Sequence, residues 1–427
     1  MDSSSGATTV EQADLPKIVS VDDHVIEPPG VWQDRLPERF KEAGPRSIRQ
    51  RGVMSFVGGV FSFEPDESGE VGDWWSFEDG RFPLTRLEAA VGFERDQVQV
   101  VPITYEEMRR GCWDPAARLE DMDANWTEAS MSFPSSFVRF CGQRFLEASD
   151  KELADACVRA YNDWQFEEWC AGSDGRLIPL AIVQLWDPEL AAAEVRRNAA
   201  RGGRAITFSE IPAYLGLPSV HDADRYWDPL FAACAETGTV VNMHIGSSSK
   251  MPSTSPDAPA AVGSTLTFNN AMASMTDFLF SGVLVRFPEL KLAYSEGQIG
   301  WIPYIIERAD KVWEENRGWG GIGDLVPEPP STYYYRQIFG VLLRRRLRSG
   351  QHRGRGRGQR VLRDGLPALG LDVAALQGGG HQADGRPAVG HPAQAGPGQR
   401  HRVARPRSRA VTDLAEINGM ITGRRSP

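Results

Sequence analysis

Residues 17–25 read KIVSVDDHV, a run of β-branched and apolar side chains that ends in an acidic pair and a histidine. The run is short and rich in valine and isoleucine, so it reads as a buried strand with its polar residues gathered at the C-terminal end. The same form recurs along the chain. Candidate strands follow at 128–134, 176–183, 204–210, 239–246, 290–296 and 337–343, and segments of helical spacing lie among them at 150–170, 188–200, 226–237, 270–283 and 300–315. Near-continuous apolar strands alternating with helices predict parallel strands joined by helical crossovers.

An open doubly wound sheet and a closed barrel share that alternation. The placing of the polar residues favours the barrel. Asp22 and His24, Glu210, His244 and Glu296 all fall at or just past the C-terminal ends of different strands, the face on which such barrels build their sites. The expected fold class is therefore α/β, a TIM-like (β/α)8 barrel over residues 17–340, after a disordered tail over 1–16. Two insertions interrupt it. Residues 43–110, with many Gly and acidic side chains, predict a small excursion covering the barrel mouth, and the Ser/Pro/Ala-rich 247–268 reads equally as a mobile lid or an ordinary surface loop.

Composition narrows the function. The 427 residues, 41% hydrophobic and 24% charged, can bury a sizeable core, and a net charge of −10 argues against phosphate-backbone binding by the whole molecule. The charge is unevenly divided: residues 1–340 carry a net −22 and residues 341–427 a net +12. No stretch approaches the roughly 20 apolar residues of a membrane span, and the polar start MDSSSGATTVEQADLPK lacks the apolar centre of a signal peptide, so a cytoplasmic protein is expected. Cys112, Cys141, Cys157, Cys170 and Cys234 are scattered and odd in number, which predicts reduced thiols rather than a disulfide framework or zinc ribbon.

In the run from Asp22 to His24, alternate residues share a face of the strand, so the pair can grip a divalent metal, carboxylate and imidazole together suiting zinc or manganese. Alone, the same spacing also describes a satisfied histidine at a strand end. His244, in VVNMHIGSSS, shifts the balance because it ends another apolar strand and precedes Gly246, which lets backbone and ligand approach closely. Of the seven histidines only His24, His221 and His244 lie in the well-patterned part of the chain. His221, in PSVHDADRYWDP, is a candidate for substrate contact, with a capping or hydrogen-bonding role as the alternative. The aromatics of GWIPYIIERADKVW are spaced as one helix face and read as core.

The segments SVDDHVIEPPGVW, GCWDPAARLEDMDANWTEASMSFPS, AYNDWQFEEWC, RLIPLAIVQLWDPELAAAEVRR, VNMHIG and FPELKLAYSEGQIGWIPYIIERAD, in this order, resemble the amidohydrolase-related family that includes aminocarboxymuconate-semialdehyde decarboxylase. The resemblance runs from about residue 17 to 340. It implies a metal-dependent barrel that hydrolyses, or non-oxidatively decarboxylates, a small and often aromatic acid. It assigns the first-strand metal pair to Asp22 and His24, with Asp22 in place of the His or Glu of other members, and the mid-barrel ligand to His244. Two departures stand out. Ser295-Glu296-Gly297 replaces a His-bearing turn, leaving Glu296 as the candidate catalytic acid or base, and the last-strand metal Asp of a D-x-P-H-like motif is missing.

From Val341 the chain turns Arg/Gly/Pro-rich without any Lys, where a barrel still needs its last strand and helix. One reading is a basic tail that binds RNA. A shifted reading frame explains more. Codons chosen for VLLRRRLR and read one base later give CFFDDAF, and the following residues permit a strand ending in D-Y-P-H, the missing motif. Residues 341–427 are thus expected to be out of frame and disordered, and the barrel incomplete at its last strand and helix. The reading favoured is a metal-dependent hydrolase of a small carboxylated substrate, inactive in this chain if the site is too depleted. The alternatives are a carboxy-lyase on the same barrel and a non-enzymatic binding protein with a nucleic-acid-binding tail. The expected partners are a small-molecule substrate and, compatibly, a second copy of the chain in a homodimer, with no membrane.

Overall fold

The structure is a computed structural model and describes residues 17–57, 60–342 and 360–362. The tail expected over 1–16 and nearly all of the tail expected over 341–427 lie outside the described residues. Chain order gives β1 (Ile18–His24), then β2 (Arg46–Val57), β3 (Val60–Pro65), β4 (Glu70–Phe77) and β5 (Gly80–Pro83). These are followed by β6 (Thr127–Phe133), β7 (Leu177–Ile178), β8 (Ala205–Thr207), β9 (Val240–His244), β10 (Lys291–Ser295), β11 (Ile338–Leu342) and β12 (Arg360–Leu362).

β1, β6 and β7 pair in parallel, and so do β8 to β12 in chain order. A parallel bridge between Ala181 and Ile206 joins the two sets, and β12 lies beside β1. Eight parallel strands therefore follow one another around a circle, the (β/α)8 arrangement. Val19, Val21, Met131, Leu180, Val240 and Ala293 fill its interior. The expected strand over 176–183 shortens to β7 plus the Ala181 bridge, since Pro179 has no N–H to offer a ladder. Among the described residues the place of the last strand is held by Arg360–Leu362, and the helix due after it lies outside them.

The crossover helices start where the sequence supplies caps. Asp114, Asp150 and Asp187 each accept backbone N–H bonds from the first turn of the helix that follows, and Pro115 and Pro188 occupy positions where a missing N–H costs nothing. Helices over Lys151–Trp164, Pro188–Ala200, Asp228–Thr237, Phe268–Phe280 and Ile302–Glu315 pack outside the strands. The five cysteines are free thiols. No described helix is long and apolar enough to cross a membrane.

The first insertion forms a four-stranded antiparallel sheet in the order β3-β2-β4-β5. Trp75 of β4 fastens it to the barrel, with its ring 4.8 Å from Trp32 and 5.2 Å from Phe137. The second insertion contains a short helix, Ala260–Leu266, within a mostly exposed stretch.

One irregularity decides where β1 points its side chains. Ser20 sits opposite Ser130, yet Asp23 sits opposite Ser132, so β1 spends one more residue than β6 between these pairs. This bulge changes the phase of alternation. Before it Val19 and Val21 join the barrel interior; after it the inward positions pass to Asp22 and His24. Asp23 turns the other way and takes hydroxyl bonds from Ser20 and Ser130.

Candidate metal centre

Three strand ends bring the site together. Asp22 and His24 come from β1, His244 from the last position of β9, and Glu296 from the residue after β10. Asp22 is fully buried and His244 nearly so, while His24 is half-buried. His24 Nε2 lies 3.1 Å from His244 Nε2, which lies 3.3 Å from Asp22 Oδ1 and 3.6 Å from Glu296 Oε2. β1 is not a neighbour of β9 or β10 in the sheet order, so these contacts span the barrel mouth.

Hydrogen bonds hold the donors in place. His244 Nδ1 is 2.7 Å from the Ile245 carbonyl, which can only accept, so Nδ1 donates there and Nε2 is the nitrogen turned toward Asp22 and His24. Asp22 Oδ2 accepts the Glu296 backbone N–H at 3.0 Å. Glu296 reaches that position with φ at 52°, a left-handed conformation costing a non-glycine residue about 1–2 kcal/mol. Ser295 Oγ donates to the Val21 carbonyl at 3.3 Å, a second tie between β10 and β1. On the outer side, buried Arg118 donates through Nη2 to the carbonyl of His24 at 2.7 Å and through Nε to that of Gly111, with Trp169 under its guanidinium.

The donor set fits a divalent ion. Nitrogen and oxygen ligands at roughly 2.0–2.2 Å from one ion stand about 3.0–3.5 Å from one another, close to the separations of Asp22, His24 and His244. Their ligating atoms all lie within 4.8 Å, the one such group of His, Cys, Asp and Glu among the described residues. His244 Nε2 faces a carboxylate oxygen and a second imidazole nitrogen, the donor types that a divalent cation takes.

Two further carboxyls flank the group. Glu210, just past β8, accepts bonds through Oε1 from Gly246 N–H, Ser248 Oγ and Asn270 Nδ2 at 2.8–3.2 Å, and its Oε2 is buried with no hydrogen-bond partner among the described residues. Burial pushes its pKa up to about 7, against the opposing pull of those donors. Glu27 is also raised to about 7 by burial, opposed by its bonds to Ser135. His221 stands elsewhere in the chemistry: it is exposed, pairs with Asp277 at 3.2 Å and is not a member of the metal-capable group. Arg118 and Phe140, which touch His24 and His244, carried no signal in the sequence because long-range packing delivers them.

A sequence model of the amidohydrolase family matches residues 79–347, a span that begins after β1 and so leaves Asp22 and His24 outside it. Among solved structures, an amidohydrolase from Mycobacterium avium subsp. paratuberculosis K-10 is similar at 22% identity and a TM-score of 0.54, covering 77% of this chain and 84% of that one. A dihydroxybenzoic acid decarboxylase from Polaromonas sp. JS666, with bound manganese and 2-nitroresorcinol, is 18% identical with a TM-score of 0.44, covering 60% and 74%. A 2,6-dihydroxybenzoate decarboxylase from Rhizobium is 15% identical with a TM-score of 0.44, covering 77% and 80%. No curated protein matches the chain significantly.

Proposed function

Because the chain belongs to the amidohydrolase family, we propose that it is a divalent-metal-dependent enzyme that removes the carboxyl group of a small planar acid as carbon dioxide. One observation carries this reading: Asp22, His24 and His244 converge on a single point at the barrel mouth, with the rings of Phe133 and Phe140 against the imidazoles. Zinc or manganese held there supplies Lewis acidity toward a bound carboxylate or water.

The chain's own residues do the rest. Asp22, His24 and His244 hold the ion, with the His244 Nδ1–H bond to the Ile245 carbonyl keeping Nε2 aimed inward. Glu296 relays a proton from solvent to the substrate carbon as the bond to the carboxyl carbon breaks; the bonding electron pair stays on that carbon to form the new C–H bond, and carbon dioxide leaves. Phe133 and Phe140 limit water at the reacting centre, which favours a charge-dispersed departure of carbon dioxide over attack by water. Hydrolysis is the second reading, supported by Glu296 Oε2 lying 3.6 Å from His244 Nε2, close enough to take a proton from a water there.

Three ligands, all that the described residues bring together, hold an ion weakly, so assays need added metal. The test is metal content by mass spectrometry after loading, together with product analysis on hydroxybenzoic acids and their amides. One ion per chain, lost in His244→Ala, with carbon dioxide released by the wild type and not by Glu296→Gln, is expected. Equal metal content in wild type and His244→Ala sinks the proposal, and amide cleavage without carbon dioxide moves it to the second reading.

A further inference from the structure

We propose that Phe140 is a positioning residue for His244, an inference that rests on the metal-site reading above. The two rings are nearly parallel, 12° apart, with centroids at 4.4 Å, and Phe133 meets the same imidazole edge-on at 4.9 Å. The hydrogen bond to the Ile245 carbonyl selects which flip of the imidazole is populated, but it is made at the edge of the ring and does not support its face. A flat aromatic face against it removes the tilt.

The loop after β6 is built to deliver that face. Arg139 turns it with φ at 62°, and the Phe140 carbonyl accepts the Thr207 hydroxyl at 2.8 Å, tying the loop to β8. Gln143 then donates to the Ser247 carbonyl at 2.9 Å, tying it to the segment that follows His244. Space for the ring exists because residue 246 has no side chain: a Cβ there would stand 2.9 Å from the Phe140 ring. Phe140 itself is only half-buried, so its place is not explained by filling the core.

The test compares wild type, Phe140→Leu and Phe140→Tyr as full chains, with Phe140→Met replacing the Leu variant should that fail to fold. Manganese titration followed by electron paramagnetic resonance is expected to show affinity about tenfold weaker in the Leu variant and near wild type in the Tyr variant. Metal-free thermal midpoints are measured alongside, and the loss in affinity is expected without a matching loss in midpoint. Equal affinity in wild type and Phe140→Leu overturns the inference. A wild type that takes up no manganese defeats the metal reading instead, and imidazole nitrogen NMR on the metal-free chains then decides Phe140. Relaxation of the His244 imidazole signals that shows a more mobile ring in Phe140→Leu than in wild type and Phe140→Tyr supports the role, and equal ring mobility refutes it.

Discussion

Glu210 offers the sharpest test of how the barrel mouth is held. Its carboxyl is 2% exposed, one oxygen accepts three donors, and burial raises its pKa from the ordinary 4.5 to about 7. A carboxyl whose pKa is higher folded than unfolded keeps its proton longer in the native state. Its contribution is therefore fully present below about pH 4.5 and is lost as pH rises toward 7. The shift corresponds to about 3 kcal/mol of stability lost over that window. Glu27, raised by burial to a similar value, adds a loss of the same order in a separate network. Glu210→Gln keeps an acceptor for Gly246, Ser248 and Asn270 but cannot ionise. Urea unfolding in EDTA at pH 5, 6, 7 and 8 should show wild-type stability falling up to about pH 7 and levelling off above it, with the Gln variant losing roughly half of that slope, whatever its absolute stability. A variant whose stability falls as steeply as the wild type's refutes the argument that burial of Glu210 sets the pH dependence.

Other outcomes follow from single residues. Gly246 has φ at 87° and no room for a Cβ beside Phe140, so Gly246→Ala should cost about 1–2 kcal/mol from conformation alone, read as a lower thermal midpoint. Arg118→Met leaves the buried carbonyls of His24 and Gly111 without their donor, and unfolding in urea should show a loss of about 2–4 kcal/mol. We read residues 341–427 as a shifted frame, so the nucleotide sequence across codons 335 to 345 should show an inserted or deleted base; an intact native frame there would disprove it.

Much of the architecture was legible because barrel strands are apolar on both faces and their polar residues collect at one end. KIVSVDDHV, VNMHIG and LAYSEG revealed β1, β9 and β10 and with them Asp22, His24, His244 and Glu296. Short strands were harder. In RLIPLAIV the apolar run continues through a proline that cannot join the ladder, so composition overstated β7. The simple alternation argument for Asp22 and His24 put the two on one face without the bulge that turns that face inward, since nothing in the local sequence marks an extra residue in one strand's pairing. His221, a candidate for substrate contact with a hydrogen-bonding role as the alternative, lies on a loop and pairs with Asp277. Phe140 and Arg118 reach His244 and His24 from 104 and 94 positions away in the chain, the latter through a bond spanning that separation.

The irregular pairing of β1 with β6 makes the centre sensitive to parity. Loops between the strands can gain or lose residues and leave every inward position where it was. Regular pairing of β1 with β6 beyond Ser20, with no residue removed, would set Asp22 in place of Asp23 opposite Ser132 and, with no change in composition at the ligands themselves, hand the mouth to Asp23 while sending Asp22 and His24 toward the surrounding helices. The barrel would still have an unbroken first strand; it would have lost its grip on any ion.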